Sequence, residues 1–216
     1  MARITVLGGT GYAGAHLVSL AAQRGHDVTS YSRSEPATPV AGVDYRTGDV
    51  TDDAVLAAAV QGADVVVSAI APRGEIAAEG VVRDRLAKLA DVAQAQGVRL
   101  GVIGGAGSLL VAEGGPKLID TEGFPEEFKP EAREMGAVLD QLRASDEQLD
   151  WFFVSPAAMF GSFNPGEARG TYRVGGDILL ADENGNSDIS GADFAAALVS
   201  EIEEPQHRRA RFTAAY

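Results

Sequence analysis

Three glycines, Gly8, Gly11 and Gly14, stand three residues apart within Ile4-Thr-Val-Leu-Gly-Gly-Thr-Gly-Tyr-Ala-Gly14. That spacing, between an apolar run and a helical pattern, suits the binding of a diphosphate. The first glycine permits a tight turn, the second lets the backbone approach the ligand, and the third lets a helix pack against the strand. Amide groups in the first helical turn then face the anion, aided by the helix dipole. Thr10, Tyr12 and Ala13 fill the turn and belong to the same cradle. A ligand-free strand–turn–helix could carry the same glycines, but strand, turn, helix and the alternation that follows all agree with a nucleotide site.

The end of the second apolar run reports on the nucleotide. A carboxylate there would bond the ribose 2′-hydroxyl and disfavour a 2′-phosphate. The residues are Val28-Thr-Ser-Tyr-Ser-Arg33-Ser34, with no acid at that end. Arg33 can pair with a 2′-phosphate through its guanidinium, with Ser32 or Ser34 adding a hydroxyl. NADP is expected ahead of NAD. The segment Ser68-Ala69-Ile70-Ala71, where the fourth run ends, is expected to run past the ribose and diphosphate, and its small side chains leave room for them.

These residues need a framework. Apolar runs and helical patterns alternate along the chain, predicting a three-layer, Rossmann-like doubly wound parallel sheet. Strands are expected at residues 4–7, 27–31, 45–48, 65–70, 98–103 and 151–154, with the last reached through a glycine-rich loop at 104–125. Helices are expected up to about residue 24, and at 52–60 with Thr51 as cap, 83–96, 126–144 and 192–203. Ser190, with Asp193 three residues on, reads as a cap for the last of these. Short strands near 171–174 and 178–181 and a final one at Phe212 complete a small C-terminal, substrate-side region. No repeat or linker divides the chain, so residues 1–216 read as one domain.

Composition narrows the function. The formal charge is −13, from 18 Lys+Arg and 31 Asp+Glu. Such a molecule repels nucleic acid and anionic membranes. The chain has no cysteine, so thiolate chemistry and cysteine-bound metals are excluded. His16, His26 and His207 have no ligand spacing, and no metal site is expected. No apolar stretch reaches the roughly 20 residues that cross a bilayer. A cytoplasmic protein, monomeric or a homodimer, is the expectation.

Further segments extend the pattern: Gly48-Asp49-Val50, Gly104-Gly-Ala-Gly-Ser108, Val154-Ser-Pro-Ala-Ala158, Gly175-Gly-Asp177 and Asp188-Ile-Ser190. With Gly8–Gly14 they resemble the atypical short-chain dehydrogenase/reductases, in particular the NAD(P)H-binding family and its NADH–flavin reductase group. The resemblance implies that Asp49 and the Val50 backbone hold the adenine. It also implies that Gly104, Gly105, Ser155, Pro156 and Ala157 pass close to the nicotinamide.

Carbonyl reduction needs an acid for the developing alkoxide. The best-known branch of that superfamily uses a tyrosine four residues before a lysine. Lys129 occupies a helix-opening position here, but Pro125 stands four residues before it, and none of the five tyrosines lies in the expected place. A flavin or quinone delocalises incoming charge over its rings and needs such an acid less. Ser108, Lys129 and Tyr172 are the candidate contacts to the nicotinamide or acceptor. Two other readings stay open: a sensor of nicotinamide redox state that has lost the tyrosine, and a sugar-nucleotide epimerase.

Overall fold

The computed structural model describes all of residues 1–216. Its frame is an eight-stranded sheet in the order β3-β2-β1-β4-β5-β6-β8-β7. The strands are β1 (Arg3–Leu7), β2 (Asp27–Ser32), β3 (Val43–Thr47), β4 (Val65–Ser68), β5 (Arg99–Ile103), β6 (Trp151–Pro156), β7 (Arg173–Gly175) and β8 (Ala210–Ala215). All neighbours run parallel except β7, which lies antiparallel on β8 at the edge. Every residue of β4, β5 and β6 is buried, as expected of parallel strands covered on both faces.

Helices α1 (Tyr12–Gln23) and α5 (Gly191–Glu203) pack together on one face. Leu17, Val18, Phe194, Leu198 and Ile202 meet Ile4, Val6, Phe152, Val154 and Phe212 there. On the other face lie α2 (Asp53–Val60), α3 (Val81–Gln96) and α4 (Lys129–Arg143). Their Leu56, Leu86, Leu89, Val138 and Leu142 cover Val66, Leu100, Val102, Trp151 and Phe153. The result is the three-layer, Rossmann-like arrangement that the alternation predicted. From β1 the chain moves outward through β2 and β3, then returns to β4 on the other side of β1 and continues toward β6. The reversal opens a crevice at the C-terminal ends of β1 and β4, where ligands bind in this architecture.

Local expectations fared unevenly. Helix α5 is capped as predicted: the Ser190 side chain accepts the Asp193 N–H at 3.1 Å. Helix α2 is capped by Asp52, not Thr51; the Asp52 Oδ1 accepts the Ala54 N–H at 2.8 Å. Thr51 is otherwise engaged, its hydroxyl donating to Asp49. Strand β6 runs on through Pro156, and residues 126–128 form a 3₁₀ turn before α4. The strand expected at 178–181 is absent; Ile178 makes one isolated bridge, to Leu110.

Candidate functional site

The glycine turn closes the C-terminal end of β1, and each glycine has a different reason to be there. Gly8 has φ +84°, a conformation that L side chains rarely adopt. Its N–H donates to Tyr31 O at 2.8 Å, fastening the turn to β2. At Gly14 an added Cβ would stand 2.3 Å from Gly8 O and 2.9 Å from Gly9 Cα, so this glycine is what lets α1 pack on the turn. Gly9 serves packing as well, since a Cβ there would lie 2.2 Å from Ser30 Oγ. Gly11 is the exception. A Cβ there would meet only Gly8 O, at an ordinary 3.4 Å.

Nothing inside the chain crowds Gly11, which is exposed. Gly11 is the N-cap of α1 and offers no side-chain cap. The first hydrogen bond of the helix runs from Ala15 N–H to Gly11 O, and the N–H groups of Tyr12, Ala13 and Gly14 have no partner. Three free donors at the positive end of a helix, under an open backbone, fit a diphosphate. The turn is braced from the side by Ser32, whose Oγ accepts the Thr10 N–H at 3.2 Å. Tyr12 packs on Phe160 at 5.3 Å between ring centres, and its hydroxyl donates to Pro165 O at 3.3 Å. This link ties the turn to the segment that leaves β6.

Next to the turn, Arg33 follows β2 and is exposed, its Nη1 lying 3.0 Å from Glu75 Oε2. Asp49 Oδ1 accepts both the Thr51 N–H (2.8 Å) and the Thr51 hydroxyl (2.7 Å). Those bonds, with a smaller contribution from the Arg33 charge, hold the Asp49 carboxyl below the usual carboxylate range. Val50 and Ile70 pack against the core on the α2–α3 side. Ala69 N–H donates to Leu7 O at 2.8 Å, and Ser68 is fully buried, with its Oγ 3.4 Å from the Ile70 N–H. A cleft of about 360 Å³ flanks the turn, lined by Gly9, Thr10, Ser34, Glu35, Thr38 and Tyr45 among others.

Further along the sheet edge, Gly104 has a packing reason: a Cβ there would stand 1.9 Å from the Phe153 ring. Gly105 has open space instead. Ser155 and Ala157 are buried, and Pro156 still pairs with Ala214 of β8. Ser155 Oγ and Thr213 Oγ1, on register partners of β6 and β8, are both buried without a hydrogen-bond partner. After Ala157 the chain is held by Ser187, whose Oγ accepts the Ala158 N–H at 3.1 Å.

Of the three candidate contacts to an acceptor, Ser108 and Lys129 are bonded within the chain and Tyr172 is packed against it. Ser108 Oγ accepts from Arg211 Nη1 at 2.8 Å. The Arg211 side chain is 2% exposed and is also bound to Asp177, which pairs with Arg143 at 2.7 Å. Burial pulls the Arg211 guanidinium below its usual range, against the attraction of Asp177. The Lys129 ammonium is bonded to Glu126. Tyr172 is half-buried against the core on the α1–α5 side. No local spacing points to Glu75 or Arg211, because their partners lie 42 and 103 residues away.

Comparison with known proteins agrees with this geometry. The family model described as NAD(P)H-binding matches residues 8–205. The uncharacterized protein YwnB of Bacillus subtilis is 36% identical over 214 residues, 98% of this chain and 97% of that one. A Burkholderia pseudomallei structure, provisionally named an exported protein, is 42% identical with a TM-score of 0.85, covering 100% of both chains. A Streptococcus pneumoniae structure with the provisional name NADH-flavin reductase is 34% identical with a TM-score of 0.82, over 100% of this chain and 99% of that one. No helix of this chain is long and apolar enough to cross a membrane.

Proposed function

This chain belongs to the NAD(P)H-binding family, and we propose that it is an NADPH-dependent reductase of a flavin, quinone or similar conjugated acceptor. The observation that carries the reading is the glycine turn, which leaves three amide donors free beside an open Gly11. Gly8, Thr10, Gly11, Tyr12, Ala13 and Gly14 hold the diphosphate, Arg33 with Ser32 meets the 2′-phosphate, and Asp49 and Val50 border the adenine. Ser68, Ala69 and Ile70 line the ribose path, and Gly104, Gly105, Ser155, Pro156 and Ala157 border the nicotinamide. The bound dinucleotide supplies a hydride.

The absence of a tyrosine four residues before Lys129 favours a conjugated acceptor over an isolated carbonyl. An isolated carbonyl would need a proton at the moment of transfer; a conjugated ring system spreads the charge and chiefly needs positioning. Ser108, Lys129 and Tyr172 are the side chains through which such an acceptor would be contacted; Ser108 and Lys129 would share groups bonded to Arg211 and Glu126.

The test is direct. Purified protein is given NADPH with a flavin, with a quinone and with a simple aldehyde, and oxidation is followed at the nicotinamide absorbance. Turnover with the flavin or the quinone and little with the aldehyde is expected. Tight NADPH binding without turnover on any of them would defeat the reading. If affinity also differed sharply between the oxidised and reduced nucleotide, that result would point to redox sensing.

A further inference from the structure

Arg33 has a carboxylate partner within the chain, Glu75, and the segment that carries it is anchored. The pair with Glu75 spans from the end of β2 to the segment after β4, at 3.0 Å, with side chains 61% and 85% exposed. Exposed pairs of this kind are weak, because water and salt compete for both ends. A tighter anion could therefore exchange with it.

The backbone around Glu75 is less free than its side chain. Glu75 lies in the 3₁₀ turn Gly74–Ile76. Two residues earlier, Arg73 makes paired bonds of 2.8 and 3.0 Å to Glu131 of α4. At the far end of the segment, the buried Glu134 accepts the N–H groups of Gly80 at 2.9 Å and Arg83 at 2.8 Å. Both flanks are thus anchored to α4, and the carboxylate is presented to Arg33 from a fixed base. Two more acids share the neighbourhood: Asp49, which feels the Arg33 charge, and Glu35, two residues along in the wall of the adjacent cleft.

We infer that Glu75 is a coenzyme-selectivity residue: it occupies the Arg33 guanidinium that a 2′-phosphate would use, and so holds down the preference for NADPH over NADH. The inference rests on the proposed reading of Arg33 as the 2′-phosphate ligand. A guanidinium fork bonds carboxylate and phosphate by the same donors, so the two anions compete for it and also repel each other. NADH carries no phosphate at that position and leaves the pair undisturbed.

The experiment measures the Kd of NADPH and of NADH for the unmodified chain and for Glu75→Gln, Glu75→Lys, Arg33→Ala and the double variant Arg33→Ala/Glu75→Gln. Glu75→Gln should tighten NADPH about threefold and leave NADH unchanged, an effect of the size expected for an exposed pair. Glu75→Lys should tighten NADPH by roughly tenfold or more, with the gain shrinking as salt is raised. Arg33→Ala should remove the preference, and in that background Glu75→Gln should lose most of its effect. If Arg33→Ala weakens NADPH selectively but neither Glu75 variant changes the NADPH:NADH ratio, the inference is overturned and the Arg33 reading stands. A full Glu75→Gln effect without Arg33 would overturn it too. If Arg33→Ala weakens both nucleotides equally, the Arg33 reading falls and takes the inference with it.

Discussion

The two ends of the parallel sheet treat polar groups in opposite ways. At the N-terminal ends of β5 and β8, charges are buried and bonded to one another. Glu201 and Arg99 have side chains only 3% and 7% exposed and meet at 2.6 Å. Arg99 also donates to the carbonyls of Glu201 and His207, each at 3.0 Å. Glu201 accepts the N–H groups of Gln206 and His207 and lies 2.6 Å from His207 Nδ1. The Arg99 guanidinium covers the Phe152 ring at 4.6 Å, and His207 stacks on Phe212. At the C-terminal end, by contrast, three helix amides stand free and Gly11 faces open space. A polar cluster that bonds most of its own groups under cover, leaving only Arg99 Nε and Asp150 Oδ1 without a hydrogen bond, holds the fold together. One that leaves donors unused at an exposed helix start is open to water or to a ligand.

If this contrast is right, damage at the two ends should separate stability from binding. The largest effect is expected at the closed end. Glu201→Gln removes the closer of the two carboxylates beside Arg99, leaving Asp150 at 3.5 Å, and should cost about 3 kcal/mol of stability, while nucleotide affinity of the remaining folded protein stays unchanged. Urea unfolding and an NADPH titration on the same sample check both halves. The acid side of the stability profile sharpens the comparison. Burial alone would raise the Glu201 carboxyl, but bonds from Arg99 and from the His207 side chain and backbone outweigh it and hold it below its ordinary 4.5. Its contribution is therefore complete above that value and is lost as pH falls through the lower, folded one. The Gln variant should show a shallower acid limb, and an unchanged limb would remove Glu201 from the account.

A smaller loss is expected within the open end, at the glycine committed to packing. Gly14→Ala pushes a methyl against the backbone of Gly8 and Gly9, which cannot move aside as a side chain tip could. About 1–3 kcal/mol of stability should go, read as a lower urea midpoint. A neutral result would mean that α1 can shift without disturbing the turn.

How much of this was legible in the residues follows from the range of each interaction. The glycine turn and strands β1, β2, β4, β5 and β6 were visible because their signals are local: a fixed spacing, and apolar runs such as Val65–Val67 that are buried on both faces. The α5 cap was visible for the same reason. The edge was visible only in part. Weak alternation across residues 171–181 predicted two short strands, and the chain forms one, Arg173–Gly175, while leaving Ile178 in a lone bridge. At α2, Thr51 and Asp52 are both good caps, and only the prior claim of Asp49 on the Thr51 hydroxyl separates them. The partners of Arg33 and Ser108 come from distant segments, and no local pattern announces a pairing made by the fold itself.

The smallest change in stability belongs to Gly11, and it is the sharpest test because stability and function should part there. Gly11 has φ −74° and ψ 168°, extended backbone open to any residue. An added methyl touches only Gly8 O at 3.4 Å, so Gly11→Ala should fold with a loss of under about 1 kcal/mol, the difference between glycine and alanine as a helix cap. The same methyl would stand where the diphosphate must approach the backbone. NADPH and NADH should both weaken by at least roughly tenfold, or about 1.4 kcal/mol, since the diphosphate is common to them. Equal loss of the two nucleotides separates this effect from the selective one expected at Arg33. A folded Gly11→Ala protein with undiminished affinity for both would mean that the free amides of α1 face solvent, and that the difference between the two ends of the sheet has another cause.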